Sequence, residues 1–411
     1  MERSSDRQSR ASRFDIAPVA IATCAIALLT YTILRAITVS FTWDESWTYI
    51  HHVIPKVFIS RAYDQMGANY HPLNVWGMIL SNTLFGNSEL ALRLPVLLAH
   101  AIYLYASARI ALRARTLVLS IAAFLLLNAH PYLLDFFSLA RGYGIANGMM
   151  MLSLWLATRY LSDGRQLRDL GLAVAAAVLA TLSHLIMLNY LLAFTAAFIL
   201  IWVFDTLRHH KVPPWRHAGL LIGGTGLALV AVVPFAVRLS MGGALYFGCD
   251  SLWDCTMETL GMRLLYGQAY GITPQPMVGL VIALLAACSM ACVGFAFRNG
   301  WAHRLRPMAF GTIIVVSCVA SFALQHLLLG TPMPRTRTAL FLLPLALFVP
   351  VSGLVAWPGR SRIPVVAACL LCLPLLFHQI WTINLTYALE WKPAGGGGQN
   401  ALHDPCVPCS A

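Results

Sequence analysis

Long apolar blocks, separated by short charged or Pro/Gly-rich breaks, run through most of the chain. Each block is close to the ~20 residues with which an α-helix crosses a ~30 Å hydrocarbon core, whereas a membrane barrel would show short alternating segments. The pattern predicts an all-α, polytopic membrane protein with about eleven transmembrane helices. The predicted spans lie near residues 16 to 39, 93 to 112, 116 to 132, 142 to 160, 168 to 184, 185 to 205, 217 to 237, 276 to 297, 307 to 329, 338 to 356 and 363 to 383.

The division between the spans at 168 to 184 and 185 to 205 depends on a weak break, "ATLSHLIMLNY". One long tilted helix over both would reverse the orientation of every later span. A turn at His184 and Asn189 keeps two separate helices, and this is the expectation adopted.

Composition and charge support the membrane class and orient the chain. With 59% hydrophobic residues, 11% charged residues and a mean hydropathy of +0.71, the chain lies far outside the soluble range. The net charge of +12 does not indicate nucleic-acid binding, because the basic residues collect in alternate loops. By the positive-inside rule, these loops and the amino terminus are predicted to be cytoplasmic and the carboxyl tail outside. The loop residues are Arg3, Arg7, Arg10, Arg13, Arg109, Arg113, Arg115, Arg159, Arg165, Arg168, Arg208, Lys211, Arg216, Arg298, Arg304, Arg306, Arg360 and Arg362.

The sequence predicts one membrane domain with two long outer loops and an outer tail. Residues 1–383 form one transmembrane domain, and "GGGG" marks residues 384–411 as a flexible outer tail. Within the first outer loop, residues 40–92, "PLNVWGMILSNTLFG" has the apolar spacing of a helix but is too short to span, so it is expected to lie in the interface. A second outer loop, residues 238–275, is aromatic and poor in charge.

Six of the ten cysteines fall within spans and are expected to be apolar fillers. The other four fall in outer segments, where disulfides persist. We predict two local bridges, Cys249 with Cys255 and Cys406 with Cys409, while a metal or redox role for the CxxC pair stays open.

Two adjacent acids, Asp44 and Glu45, follow the first apolar block in "FTWDESWTYIHH". At 1.5 Å per residue, the preceding run of about 27 residues spans roughly 40 Å, so the pair should emerge at the outer headgroup level. Capping of a short helix by Asp44, with Glu45 in its first turn, explains the pair as well as a catalytic role does. His71, at the start of the interfacial helix and on the same side, has no such structural explanation.

These residues resemble the polyprenyl-phosphate-sugar-dependent glycosyltransferases of the C-type superfold, which include the protein O-mannosyltransferases and the lipid A aminoarabinose transferase. The matching elements are "WDE", "YHPLNVWGMIL", "LFGNSELALRLP", "HPYLLDFFSLARGYGIAN" and "PMPRTRTALFLLPL", in that order. The resemblance implies a lipid-linked sugar donor, transfer with inversion on the outer face, and Asp44 as the catalytic base. The chain departs from many relatives in reading "HPL" for "HPPL", in carrying Leu139 in place of Glu or Gln, and in lacking a large outer domain.

Transfer from a sugar phosphate needs a base for the acceptor hydroxyl and cations for the departing phosphate. Beside Asp44, Glu45 is expected to orient the acceptor or to help hold a divalent ion. Three outer-side arginines, Arg141, Arg335 and Arg337, are predicted to bind the phosphate, with headgroup anchoring as the alternative.

The remaining site candidates are less specific. Asp135 is interpreted either as a second acid or as the partner of Arg141, and Tyr143 is expected to pack under the sugar. His71 completes the predicted substrate-binding set. Glu45 and His51 are weak candidates for a metal site, because exposed interfacial histidines are more often simply solvated.

The sequence thus favours a membrane glycosyltransferase over its rival, a transporter or lipid flippase. A transporter would place binding groups at mid-membrane on helices broken at matching points in two halves, and no such internal symmetry is evident. The predicted partners are a polyprenyl-phosphate-linked sugar, an acceptor glycan, lipid or protein, and membrane lipids, with no nucleic acid. The predicted location is the inner (plasma) membrane of a bacterium, with the active site outside.

Overall fold

In the computed structural model of the protein, every named secondary-structure element of the described residues is a helix. The described residues are 2–59, 70–210, 212–244, 247–268, 270, 275, 276, 279, 282, 283, 286, 287, 290, 305–357 and 363–391. The α-helices are α1 (Glu2–Thr38), α2 (Trp43–Thr48), α3 (Pro72–Phe85), α4 (Glu89–Ala111), α5 (Leu117–Asn128), α6 (Pro131–Phe136), α7 (Gly142–Ser162), α8 (Leu167–Ser183), α9 (Met187–His209), α10 (Trp215–Met241), α11 (Thr259–Leu264), α12 (Arg306–Leu329), α13 (Leu342–Ala356) and α14 (Ile363–Trp381). Short π-helices cover Tyr49–Val53 and Leu252–Glu258, and 3-10 turns cover Thr336–Ala339 and Leu389–Trp391.

Within the described ranges, seven helices are long and apolar enough to cross a membrane. They are Ile16–Thr38, Glu89–Ala111, Met187–Arg208, Trp215–Met241, Arg306–Leu329, Thr336–Ala356 and Pro364–Trp381. The polytopic all-α class is therefore confirmed. The predicted span at 276 to 297 lies largely outside the described residues, so the number of spans stays a prediction.

Two predicted boundaries are refined by local chemistry. Helices α8 and α9 are separate, because the chain turns at His184 between them. The predicted span at 116 to 132 is divided into α5 and α6, since Pro131 cannot continue a helix and instead occupies the first turn of the next one.

Helix α7 forms the centre of the bundle and packs most extensively against α8 and α4. Close approach to α4 depends on Gly148, where an added Cβ would lie 2.6 Å from the Ala99 carbonyl oxygen. By contrast, α1, α10, α12 and α14 keep most of their apolar spanning segments outside the protein core. Exposed apolar faces of this kind are expected where helices contact lipid.

At one end of the bundle, several irregular segments come together. Helices α2 and α3 lie between α1 and α4, and α3 packs against α4. Residues 249–259 brace the segment before α13: the Met333 N–H donates to the Cys249 carbonyl (2.8 Å), and a disulfide joins Cys249 to Cys255. Cys406 and Cys409 lie outside the described residues.

Residues 384–391, the first part of the predicted flexible tail, are packed against the bundle. Residues 384–391 fold back from α14 onto this same end of the bundle, where buried side chains bind their backbone. Residues 392–411 lie outside the described part of the chain.

Candidate active site

The acidic pair lies at the start of α2, where Thr42 rather than Asp44 is the N-cap. The Thr42 hydroxyl accepts the Glu45 N–H (3.3 Å), and the Glu45 carboxylate accepts the Thr42 N–H (2.9 Å). This reciprocal capping box satisfies two donors that a helix start leaves open. Asp44 is therefore not needed as the cap.

Glu45 is fully buried and all its described contacts are structural. Two guanidinium nitrogens of Arg93 in α4 donate to the Glu45 carboxylate (2.9 and 2.8 Å), and so does the Ala140 N–H (2.6 Å). With the cap contacts, these bonds occupy the carboxylate. In the structure Glu45 ties α2 to α4 and to the loop before α7, and its expected role in orienting an acceptor or holding an ion stays a prediction.

Asp44 instead contacts two of the predicted phosphate-binding arginines. Its Oδ2 lies 2.9 Å from Arg337 Nη1 and 3.4 Å from Arg141 Nη2. Arg141 also donates to the Asp44 backbone carbonyl (3.4 Å). Both Asp44 and Arg141 are buried. Residues far apart in sequence thus place one carboxylate between two cations.

A strained turn presents Arg337 to Asp44. Thr336 adopts φ +44°, which is unfavourable for a β-branched residue and often marks a functional site. Residues 256–259 hold this turn, since Thr259 Oγ1 accepts the Thr336 N–H (3.0 Å) and the Thr256 hydroxyl donates to the Pro334 carbonyl (2.7 Å). Arg335 begins the turn, where its N–H donates to the Thr338 hydroxyl (2.8 Å).

His71 and Tyr143 lie beside these arginines, and sequence reasoning did not assign their neighbour His184 to the site. The two histidine rings stack with centroids 4.5 Å apart, and the Tyr143 ring lies 4.4 Å from that of His184. Burial, reinforced by Arg141 and Arg337, lowers the pKa of His184 to about 3, and burial also lowers the pKa of His71. Both rings are neutral and so cannot add to the positive charge of the site.

Asp135 belongs to a separate network. It pairs with Arg35 of α1 (2.6 Å), accepts the Tyr266 hydroxyl (2.8 Å) and accepts the Leu389 N–H (2.8 Å). The predicted pairing with Arg141 is therefore corrected, since Arg35 is the buried partner. The signal for Arg35 was its place inside an apolar span, where arginines are rare and usually paired.

The described residues do not assemble the predicted metal candidates. His51 stacks on Trp47 with ring centroids 3.7 Å apart, while the Glu45 oxygens are bound as above. In the ranges the structure describes, no cluster of three or more His, Cys, Asp and Glu side chains is suited to a metal ion.

Two cavities lie at opposite ends of the bundle. A small one of about 10 Å³, room for roughly one water, adjoins Arg337, Tyr143 and His184, and the Asn147 side-chain oxygen is buried beside it without a hydrogen-bond partner. A larger one of about 500 Å³ opens where α4 and α7 end. The small cavity adjoins Arg337 of the Asp44 cluster, by which we mean Asp44, Arg141 and Arg337.

No family model and no curated protein matches the chain. Solved structures do match. The crystal structure of ArnT from Cupriavidus metallidurans bound to undecaprenyl phosphate superposes with a TM-score of 0.52 at 16% identity, over 86% of this chain and 62% of that one. The apo form of the same ArnT gives 0.51 at 16% identity, over 88% and 62%.

At this identity the likeness shows the fold, and it confirms the membrane fold that the family resemblance implied. The chain spans about three fifths (62%) of the length of the ArnT chains it matches.

Proposed function

We propose that the protein is a membrane glycosyltransferase that moves a sugar from a polyprenyl-phosphate donor to an acceptor on the outer face, with inversion. One observation carries the proposal: the buried Asp44 carboxylate lies between the guanidinium groups of Arg141 and Arg337. The fold shared with an ArnT crystallised with undecaprenyl phosphate supports the class of donor.

In the proposed transfer, Asp44 and the two arginines have separate roles. The acceptor hydroxyl oxygen attacks the anomeric carbon while Asp44 takes its proton. The bond from that carbon to the phosphate oxygen breaks, and polyprenyl phosphate departs with about two negative charges. Arg141 and Arg337 stabilise that charge, since guanidinium groups donate paired hydrogen bonds to phosphate. A single displacement inverts the anomeric centre.

The contacts of Asp44 indicate how a donor phosphate would act on it. Arg141 and Arg337 both lie against the Asp44 carboxylate. An arriving phosphate competes for both guanidinium groups and so releases Asp44 to act as a base. Burial lowers the pKa values of His184 and His71, so both rings are weak bases.

The orientation of the site is part of the proposal. Among the described residues, Arg113, Arg159, Arg165 and Arg306 lie at the end of the bundle away from Asp44, which favours an outer site by the positive-inside rule. The acceptor is a glycan, a lipid or a protein.

Replacing Asp44 tests the function directly. In membranes supplied with a polyprenyl-phosphate sugar, Asp44→Asn should lower transfer by at least ~100-fold, because a general base contributes about 10² to 10⁴ in rate. The matched control is Asp163→Asn, which removes a half-exposed acid paired with Arg113 at the opposite end and should leave transfer unchanged. Normal turnover by Asp44→Asn would remove the base from the proposal.

A further inference from the structure

The segment after α14 contacts Arg337 of the Asp44 cluster. Residues 384–391 leave α14 and end in the 3-10 turn Leu389–Trp391. The guanidinium carbon of Arg337 lies 5.5 Å from the centre of the Trp391 ring and 5.2 Å from that of Phe247. Two aromatic faces thus flank the cation that holds Asp44.

A buried ion pair fixes this segment in place. Arg35 donates to the backbone carbonyls of Asn384 (2.7 Å) and Tyr387 (2.9 Å), and its partner Asp135 accepts the Leu389 N–H (2.8 Å). A buried pair needs such additional hydrogen bonds to offset its loss of hydration. The network therefore determines where Trp391 lies.

Two further contacts hold the last turn itself. Glu390 accepts the Tyr132 hydroxyl (2.6 Å) and lies 3.3 Å from Arg263 Nε. The Trp391 ring packs at 6.1 Å from that of Phe136. Residues 384–391 are thus attached to α6, α11 and α1.

We propose that residues 384–391 form a wall of the donor-phosphate site and that Trp391 is a positioning residue for Arg337. This inference rests on the proposed function. The Trp391 and Phe247 rings hold the Arg337 guanidinium group in one orientation. Its Nη1, which contacts Asp44, therefore points towards the proposed phosphate position. Cation–π contact favours this orientation without using the N–H groups that phosphate needs.

Variants at Trp391 test the inference. Trp391→Leu keeps an apolar side chain but removes the ring, so the KM for a polyprenyl-phosphate sugar should rise roughly tenfold, while kcat falls less. Trp391→Phe retains a π face and should recover most of the donor affinity. Trp381→Leu, at the exposed end of α14, is the matched control and should leave the KM unchanged.

Binding of undecaprenyl phosphate to the purified protein separates this inference from the proposed function. Weaker binding to Trp391→Leu, with recovery in Trp391→Phe, supports the wall whether or not transfer is seen. Absence of transfer by the wild type from every polyprenyl-phosphate sugar would count against the function alone. A Trp391→Leu protein with unchanged donor KM and unchanged binding, or a Trp391→Phe protein no better than it, would overturn the inference.

Discussion

Asp44 and Glu45 are neighbours in sequence with different chemical surroundings. Glu45 is bound by Arg93 and two backbone N–H groups, whereas the described contacts of the Asp44 carboxylate are with the arginines of the site. The sequence predicted an acidic pair at a helix start, but it could not assign the two roles. Arg93 is 48 residues from Glu45 along the chain, and no local pattern reports such a contact.

Glu45→Gln should therefore act on stability. It leaves the buried Arg93 charge without its partner, and breaking such a pair costs about 3 to 5 kcal/mol. Denaturant titration in detergent measures the loss in the free energy of unfolding. Glu89→Gln is the control, because Glu89 is partly exposed, touches Arg93 only at 3.5 Å, and should cost less than about 1 kcal/mol. Equal effects of the two substitutions would contradict the structural role.

His184 gives the protein a predictable response to acid. Its pKa is lowered to about 3 in the fold, against about 6.5 when unfolded. Its contribution to stability is present above pH 6.5 and is lost as pH falls, because only the unfolded chain gains the proton. From pH 7 to pH 5 this loss is about 2 kcal/mol.

The comparison of His184→Asn with the wild type measures that contribution. Unfolding of the wild type should show the steeper loss between pH 7 and pH 5, while the exposed His210→Asn should follow the wild type. A His184→Asn protein with the same pH dependence as the wild type would show that His184 does not carry the response.

At the scale of elements, hydropathy predicted the helices well because the membrane requires each span to be long, apolar and internally hydrogen-bonded. The sequence anticipated the turn at His184 and a short helix at the place of α3, while the position of α3 in the membrane interface stays a prediction. The fold-back of residues 384–391 was not anticipated. It is held by Arg35, which is 349 residues from Asn384, and by Asp135, which is 254 residues from Leu389. The glycine run that follows residues 384–391 suggested a linker instead.

The start of α7 is the tightest contact between elements near the site. A Cβ on Gly142 would lie 2.1 Å from the Ser183 carbonyl oxygen and 2.7 Å from His71 Cγ. Gly142→Ala should push α8 and His71 away from Arg141, with a loss of about 1 to 3 kcal/mol in stability and a marked loss of transfer. Gly223→Ala, where an added Cβ meets open space, is the control, and similar activity in both variants would contradict the packing argument.

At the scale of the molecule, the two ends of the bundle carry different charge networks. The end away from Asp44 holds exposed and half-buried pairs, among them Arg113 with Asp163 and Arg159 with Asp169. Asp205 joins Arg165 and Arg306 at the same end. This concentration of arginine is the basis for the proposal that this end faces the cytoplasm.

Labelling of single cysteines in intact cells tests the orientation. In a background without the native free cysteines, Asn87→Cys, between α3 and α4, should react with a membrane-impermeant thiol reagent from outside. Gln166→Cys, between α7 and α8, should react only after the membrane is permeabilised. The reverse pattern would place Asp44 on the cytoplasmic side and remove the proposed orientation.

Asp44 and Arg337, which binds it, are 293 residues apart. The Trp391 ring, which packs against Arg337, follows α14. A ribosome delivers these parts in order, from the amino end. A nascent chain therefore exposes the acid long before Arg337 is made, and the helices from α1 to α12 are synthesised before the two groups can meet. Chains that end before residue 337 should consequently lack the contact between Asp44 and Arg337 on which the proposed transfer depends.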